Sequence, residues 1–247
     1  MALAPGSAPV RFGRHLRREV REILRVGLPI GGHFAMEVGL FNATGVVMGL
    51  FGADALGAHQ LAINFASLTF MVPLGIAQAA VVRVALHLGA GVAAAAVRAG
   101  RSAIALAAIF MLAMSALMVA APLTIIGLYL NLADRANSGV VPIAVSLILI
   151  AALFQVLDGV QVVAVGALRG YRDTAVPMLI AAFGYWIVGF TSGWILAFPL
   201  GLGPVGLWWG LLLGLAVVTV LLLLRLETRS RAHLGLGPAT APQPAPG

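Results

Sequence analysis

VPIAVSLILIAALFQVLDGVQVVAVG, Val141–Gly166, is a run of 26 residues with one charged side chain, Asp158. A hydrocarbon core about 30 Å thick is crossed by about 20 apolar residues in helix, each rising about 1.5 Å. This run crosses with tilt to spare, and it is too long for a strand. Five runs of similar character accompany it, at 27–50, 58–82, 101–128, 175–198 and 204–226. Breakers part them: Phe51-Gly52-Ala53-Asp54, Gly89-Ala90-Gly91, Asn131 to Gly139, Arg169-Gly170-Tyr171-Arg172-Asp173, and Pro199 to Pro204. The sequence predicts an all-α, polytopic membrane protein with six transmembrane helices.

Composition agrees. Of 247 residues 61% are hydrophobic and only 9% charged, with a mean hydropathy of +1.05. A soluble domain carries about 25% charged residues, so the natural solvent for this chain is a bilayer. Cysteine is absent, which removes disulfides, thiol catalysis and cysteine metal sites. The net charge of +7 does not point to nucleic acid, because the arginines sit beside the spans in the pattern that orients membrane proteins. Arg11, Arg14, Arg17, Arg18, Arg21 and Arg25 precede the first apolar run, a stretch unlike a signal peptide.

Three regions follow: 1–26, a flexible tail leading into an amphipathic basic helix over 11–26; 27–226, the six-helix transmembrane unit; and 227–247, a disordered cytoplasmic tail, Pro-, Ala- and Gly-rich after Ser230. The basic helix either lies on the membrane surface or leads, solvated, into the first span. With the N-terminus inside, every one of the fifteen basic residues except Arg135 falls on the cytoplasmic side. Both termini are therefore expected in the cytoplasm. Small residues are dense in every span, permitting close helix packing. Pro73 falls inside the second span and is expected to bend it.

The informative residues are the acids at hydrocarbon depth. Glu37 is near the middle of the first span, and Asp158 lies somewhat to the cytoplasmic side of the middle of the fourth. A charge at such depth costs about 2.5–3.5 kcal/mol on insertion scales. A carboxylate there can exchange a proton, a metal cation and a cationic substrate. The plainer reading has Glu37 hydrogen-bonded to His33, one turn back on the same face, Asn42 serving helix packing, and Asp158 bonded to Gln155 or Gln161. His33 is the one histidine on its face, so no zinc site is expected. His59, Gln60 and Asn64 are candidates for the extracellular mouth. Phe34, Phe41, Phe154, Tyr185 and Trp186 are candidates to line a cavity for flat lipophilic cations. No phosphate loop, dinucleotide fingerprint or nucleophile-and-base arrangement emerges, and the chain is not read as an enzyme.

Four stretches carry a resemblance: GLPIGGHFAMEVGLFNATGVVMGLFG, ALGAHQLAINFASLTFMVPLGIAQAAVVRV, QVLDGVQVVAVGALRGYRDT and LGPVGLWWGLLLGLAVVTVLLLLRL. In this order they resemble the C-terminal half of the multidrug and toxic compound extrusion (MATE) family, in its NorM-like branch. The resemblance implies one lobe, helices seven to twelve, of a twelve-helix transporter whose two lobes are parallel repeats. It implies an antiporter half that exports drugs or lipophilic organic cations across a bacterial inner membrane, driven by sodium or proton flow, with no other cofactor. Glu37 and Asp158 match the family's coupling acids, with sodium held there if sodium is the coupling ion. His33, Phe34, Asn42, Asn64, Phe154 and Gln161 are candidate cavity residues. The partner implied, besides the bilayer and the substrate, is a second six-helix lobe from a separate or truncated chain. A flippase-like transporter of lipid-linked intermediates and a non-transporting remnant are the alternatives.

Overall fold

The computed structural model describes residues 12–236, with side chains from Glu19 onward. The expected tail at 1–10, Arg11, the side chains of Arg14, Arg17 and Arg18, and residues 237–247 lie outside this description. The described residues form α1 (Phe12–Gly49), α2 (Ala53–Gly89), α3 (Ala93–Ala120), short α4 (Pro122–Gly127), a 3₁₀ turn (Arg135–Asn137) and α5 (Val140–Gly170). A continuous helical run follows, made of α6 (Ala175–Ala182), a π-helical stretch (Phe183–Phe190) and α7 (Thr191–Ala197), and then α8 (Gly203–His233).

Five helices are long and apolar enough to cross a membrane: α2, α3, α5, the run Ala175–Ala197, and α8. The first predicted span, 27–50, is helical to Gly49 but is not one of these five. His33, Glu37, Asn42 and six glycines dilute its hydropathy. Its helix is also continuous with the basic segment before it, so that segment leads into α1 without a break. The third predicted span, 101–128, is divided. Ala121 leaves the helical conformation, φ −141° and ψ 53°, because the ring of Pro122 disfavours helix at the preceding residue. The last span runs past 226 to His233, so the expected disordered tail begins at least seven residues too early. Arg101, Asp173 and Arg231 provide the reason: Glu227 is 2.9 Å from Arg101 and 3.0 Å from Arg231, and Arg225 and Arg229 lie 2.7 Å from Asp173.

α5 is the hub, packed against α2, α3 and α8. Lipid tails are as apolar as leucine, so helix association in a bilayer rests on close van der Waals contact and hydrogen bonds. The α5 glycines permit that approach. A methyl group at Gly166 would lie 2.6 Å from the Ala77 carbonyl oxygen, and one at Gly170 would lie 2.7 Å from Val84 Cβ. Thr69 adds a polar link, its hydroxyl 3.0 Å from Gln155 Oε1.

The last two spans meet through a register device. On α8, Gly206, Gly210 and Gly214 recur every four residues and share a face. Gly210 and Gly214 face Gly184, Gly189 and Gly193, where the first interval is five, and Gly206 faces the backbone of Leu196 and Ala197. In an α-helix five residues rotate by about 140°, turning Gly184 away from the seam. The π-helical stretch covers that interval, and its wider turn returns Gly184 to it. A methyl group at Gly214 would meet Gly189 Cα at 2.5 Å and the Gly184 carbonyl oxygen at 2.7 Å.

At the other end of α8 the α5–α6 connection is clasped to the helix. Arg172 takes a left-handed backbone, φ +57°, and Asp173 is buried between Arg225 and Arg229. Burial alone would raise its pKa, but hydrogen bonds from the two guanidinium groups outweigh it and hold the carboxyl below its usual range. Tyr171 stacks near His233, ring centres 4.9 Å apart.

The glycine seam makes a clear prediction. Gly210 lies in backbone contact with Gly193, whereas Gly31 has open space where a side chain would go. Gly210→Val should cost about 1–3 kcal/mol through overpacking, lowering the melting temperature and the monodisperse fraction in size-exclusion chromatography. Gly31→Ala should be neutral or slightly stabilising.

Candidate functional site

Glu37 and Asp158 come from α1 and α5 and line one cavity. Its other walls are Leu40 and Phe41 of α1, Phe154 of α5, Tyr185 of the π-helical stretch, and Leu211 and Leu215 of α8. The space is about 10 Å³, about enough for one water molecule or a small cation. Asp158 is buried and the Glu37 side chain is 12% exposed. Leu40, Tyr185, Leu211 and Leu215 are buried around them. An apolar wall around two carboxylates makes each interaction with a proton or cation stronger than it is in water.

The backbone places these groups in a particular way. α1 packs chiefly on α6, α2 and the π-helical stretch, while α5 packs on α2, α3 and α8. Side chains therefore bridge most of the interval between α1 and α5. Phe41 meets Phe154 edge to face, ring centres 5.8 Å apart. His33 Nε2 lies 3.3 Å from Gln161 Nε2, where the amide donates when that imidazole nitrogen is unprotonated. His33 Nε2 is also 3.9 Å from Glu37 Oε2, the one-turn pairing expected from the sequence.

Several buried polar atoms have no protein partner: the Tyr185 hydroxyl, Gln161 Oε1, His33 Nδ1, Gln155 Nε2 and Trp186 Nε1. A buried polar group without a partner costs about 1–3 kcal/mol. The Tyr185 hydroxyl belongs to a residue that lines the carboxylate cavity. Two carboxylates and a phenolic oxygen suit a proton or a hard cation, which prefers oxygen ligands. Among the described residues no three His, Cys, Asp or Glu side chains cluster as metal ligands.

The remaining candidates divide. Phe154 lines the cavity, and His33 and Gln161 adjoin it through their mutual contact. Asn42 does not reach it: the side chain is exposed and its amide donates to the Val38 carbonyl oxygen at 2.8 Å. Asn64 is likewise exposed and does not line this cavity. Phe34 lies elsewhere, with the Arg169 guanidinium 5.0 Å over its ring. Both asparagines were placed by polarity alone, which does not say which face of a helix they occupy. Gln155 is engaged by Thr69 and Gln161 by His33, so the expected Asp158–glutamine bond is not what holds either amide. His59 is buried rather than at a mouth, and its Nδ1 accepts from the Trp208 indole at 3.2 Å. Leu211 and Leu215 went unnoticed because leucines in a leucine-rich helix carry no local signal.

The MatE family model matches residues 29–195. Multidrug resistance protein NorM of Burkholderia vietnamiensis is 52% identical over 197 residues, covering 80% of this chain and 43% of that protein. A probable NorM of Mesorhizobium japonicum is 50% identical, covering 84% and 45%. The chain thus spans less than half the length of these curated relatives. Among solved structures, a MATE protein in complex with MaL6 superposes with a TM-score of 0.78 at 20% identity, over 89% of this chain and 48% of that one.

Tyr185 offers a direct test of the site's polarity. The hydroxyl makes no well-formed hydrogen bond, although the Gln161 side chain lies beside it, so Tyr185→Phe should leave thermal stability unchanged or raise it by about 1 kcal/mol. A fall of that size in the melting temperature assay would mean that the hydroxyl is satisfied within the folded protein.

Proposed function

The chain belongs to the MatE family, and on that premise we propose that it is one lobe of a cation-coupled antiporter that exports lipophilic organic cations across a bacterial inner membrane. The observation that carries this reading is the pair of carboxylates, Glu37 and Asp158, opening on one cavity between α1 and α5. A proton or a sodium ion bound there would be held by the two carboxylates, with the Tyr185 hydroxyl as a further oxygen. The cavity has room for the coupling ion and none for a drug-sized cargo. Cargo is therefore assigned to the space between this lobe and a second one. Alternating access by two lobes moving against each other also calls for that second lobe. Inward cation flow supplies the drive, about 2.3 kcal/mol per charge per 100 mV of membrane potential.

α1 is proposed as the sixth span beside the five apolar helices, with both termini in the cytoplasm. Reporter fusions after residues 54, 134 and 201 should then report the periplasm, and fusions after 92 and 171 the cytoplasm. A cytoplasmic report at 134 would refute this topology, since Arg135 is the sole basic residue assigned outside.

The coupling role is tested in proteoliposomes holding this chain together with its second lobe. Glu37→Gln and Asp158→Asn keep shape and remove charge, so expression and monodispersity should survive. Cation-dependent efflux should fall by about tenfold or more, the equivalent of losing about 1.4 kcal/mol of cation affinity. Unchanged coupling in both variants and in the double variant would reject the assignment.

A further inference from the structure

A second cavity, sharing no lining residue with the first, lies between the end of α2 and the start of α3. It is open and has a volume of about 580 Å³. Its lining is ordered by polarity. Arg83 and His87 from α2, and Arg98 and Ser102 from α3, stand toward the loop that joins the helices. Ile76 and Leu106 lie at the other end, and alanines form the floor between. By helix rise, Ile76 is about 10 Å from Arg83 and Leu106 about 12 Å from Arg98. No acidic residue lines the cleft.

The two arginines differ from Arg101 and from the arginines of α8, though Arg21, Arg25, Arg169 and Arg172 are likewise in no ion pair among the described residues. Arg101, Arg225, Arg229 and Arg231 are all ion-paired with Asp173 or Glu227. Among the described residues, Arg83 and Arg98 take part in no ion pair, and both are exposed at the cleft. Clustered basic groups on the loop side of an alanine-floored groove between two membrane helices have a defined chemical complement. It is a molecule with an anionic head at the membrane interface and an apolar chain running inward.

We propose that this α2–α3 cleft binds an anionic phospholipid, its headgroup phosphate held by Arg83 and Arg98 with Ser102, and the upper part of an acyl chain along the alanine floor. The alanines matter as much as the arginines. Larger side chains at positions 79, 80, 99 and 103 would fill the groove and leave a plain basic surface. The site depends on neither carboxylate and is independent of the transport reading.

The test uses the full chain, purified in a neutral detergent and titrated with short-chain phosphatidylglycerol, with phosphatidylcholine and inorganic phosphate as separate arms. Bound lipid is counted by native mass spectrometry and thermal stability is followed in parallel. Phosphatidylglycerol should bind and stabilise, and the other two should not. Arg83→Gln with Arg98→Gln should weaken phosphatidylglycerol binding roughly 30-fold, each basic residue near the membrane contributing about fivefold. Arg21→Gln with Arg25→Gln removes the same charge from exposed positions on α1 and should leave the affinity unchanged. Ala99→Leu should also weaken binding, with both arginines still present. Equal binding of phosphatidylcholine, equal losses in the two arginine pairs, or stabilisation by inorganic phosphate alone would overturn the proposal.

Discussion

Inside hydrocarbon each backbone N–H and C=O must find its partner within its own helix, and most of this structure follows from that constraint. It explains why the spans are long and continuous, and why the chain breaks where glycine, proline and charge gather. It also explains how departures from the α-helix are tolerated. Pro73 sits within α2, and α2 continues on both sides of it. The π-helical stretch at Phe183–Phe190 keeps its hydrogen bonds while changing the turn. That change is what lets glycines spaced five and four apart follow glycines spaced four and four. Without it α8 would meet a side chain where it now meets backbone.

The same constraint moves the source of cohesion from apolar burial to proximity. Many large apolar residues face outward, Leu28, Val46 and Leu128 each being 73% exposed, as suits a surface that meets lipid. The contacts that set the fold are made where side chains are missing, at Gly166 against α2 and at Gly210 against Gly193. Some polar contacts also join helices distant in sequence, such as Thr69 with Gln155 and His59 with Trp208. Outside the spans ordinary electrostatics returns, and Asp173 with its two arginines fixes the α5–α6 connection on α8.

This division governs what could be read from the sequence. Five of the six span positions, with Glu37 and Asp158 as the acids at depth, were legible, because hydropathy and a charge at depth are properties of single stretches. The convergence of Glu37 with Asp158 was suggested by depth and by resemblance, and Phe41, Phe154 and Tyr185 were named as cavity residues, but the leucine walls were not. Leu40, Leu211 and Leu215 become significant only when α1 and α8 are placed side by side. Asn42 shows the converse. Its polarity marked it as a site residue, yet its amide is satisfied by the carbonyl one turn back and its side chain faces out. The helix at 227–233 was missed because charged residues read as solvated tail, while their partners, Arg101 and Asp173, are distant in sequence. The π register was invisible for a similar reason: five-residue glycine spacing means nothing until the opposite glycines are known.

The cavity's position between separately supported helices bears on how an ion could be linked to motion. A bound cation shifts a conformational equilibrium only by its difference in affinity for the two states. Two carboxylates on one rigid element would keep the same separation in both states and offer little difference. Here Asp158 stands on α5, the element most extensively packed, while Glu37 stands on α1, whose backbone neighbours are mainly α2, α6 and the π-helical stretch. Side chains such as Phe41–Phe154 and His33–Gln161 span the gap between them. A shift of α1 relative to α5 would change the separation of the two carboxylates and break few backbone packing contacts. On the proposed reading, an ion that needs both oxygens favours the closed arrangement, and its loss leaves two charges whose repulsion favours the open one. The packing asymmetry between α1 and α5 is therefore as much a part of the candidate site as the acids are.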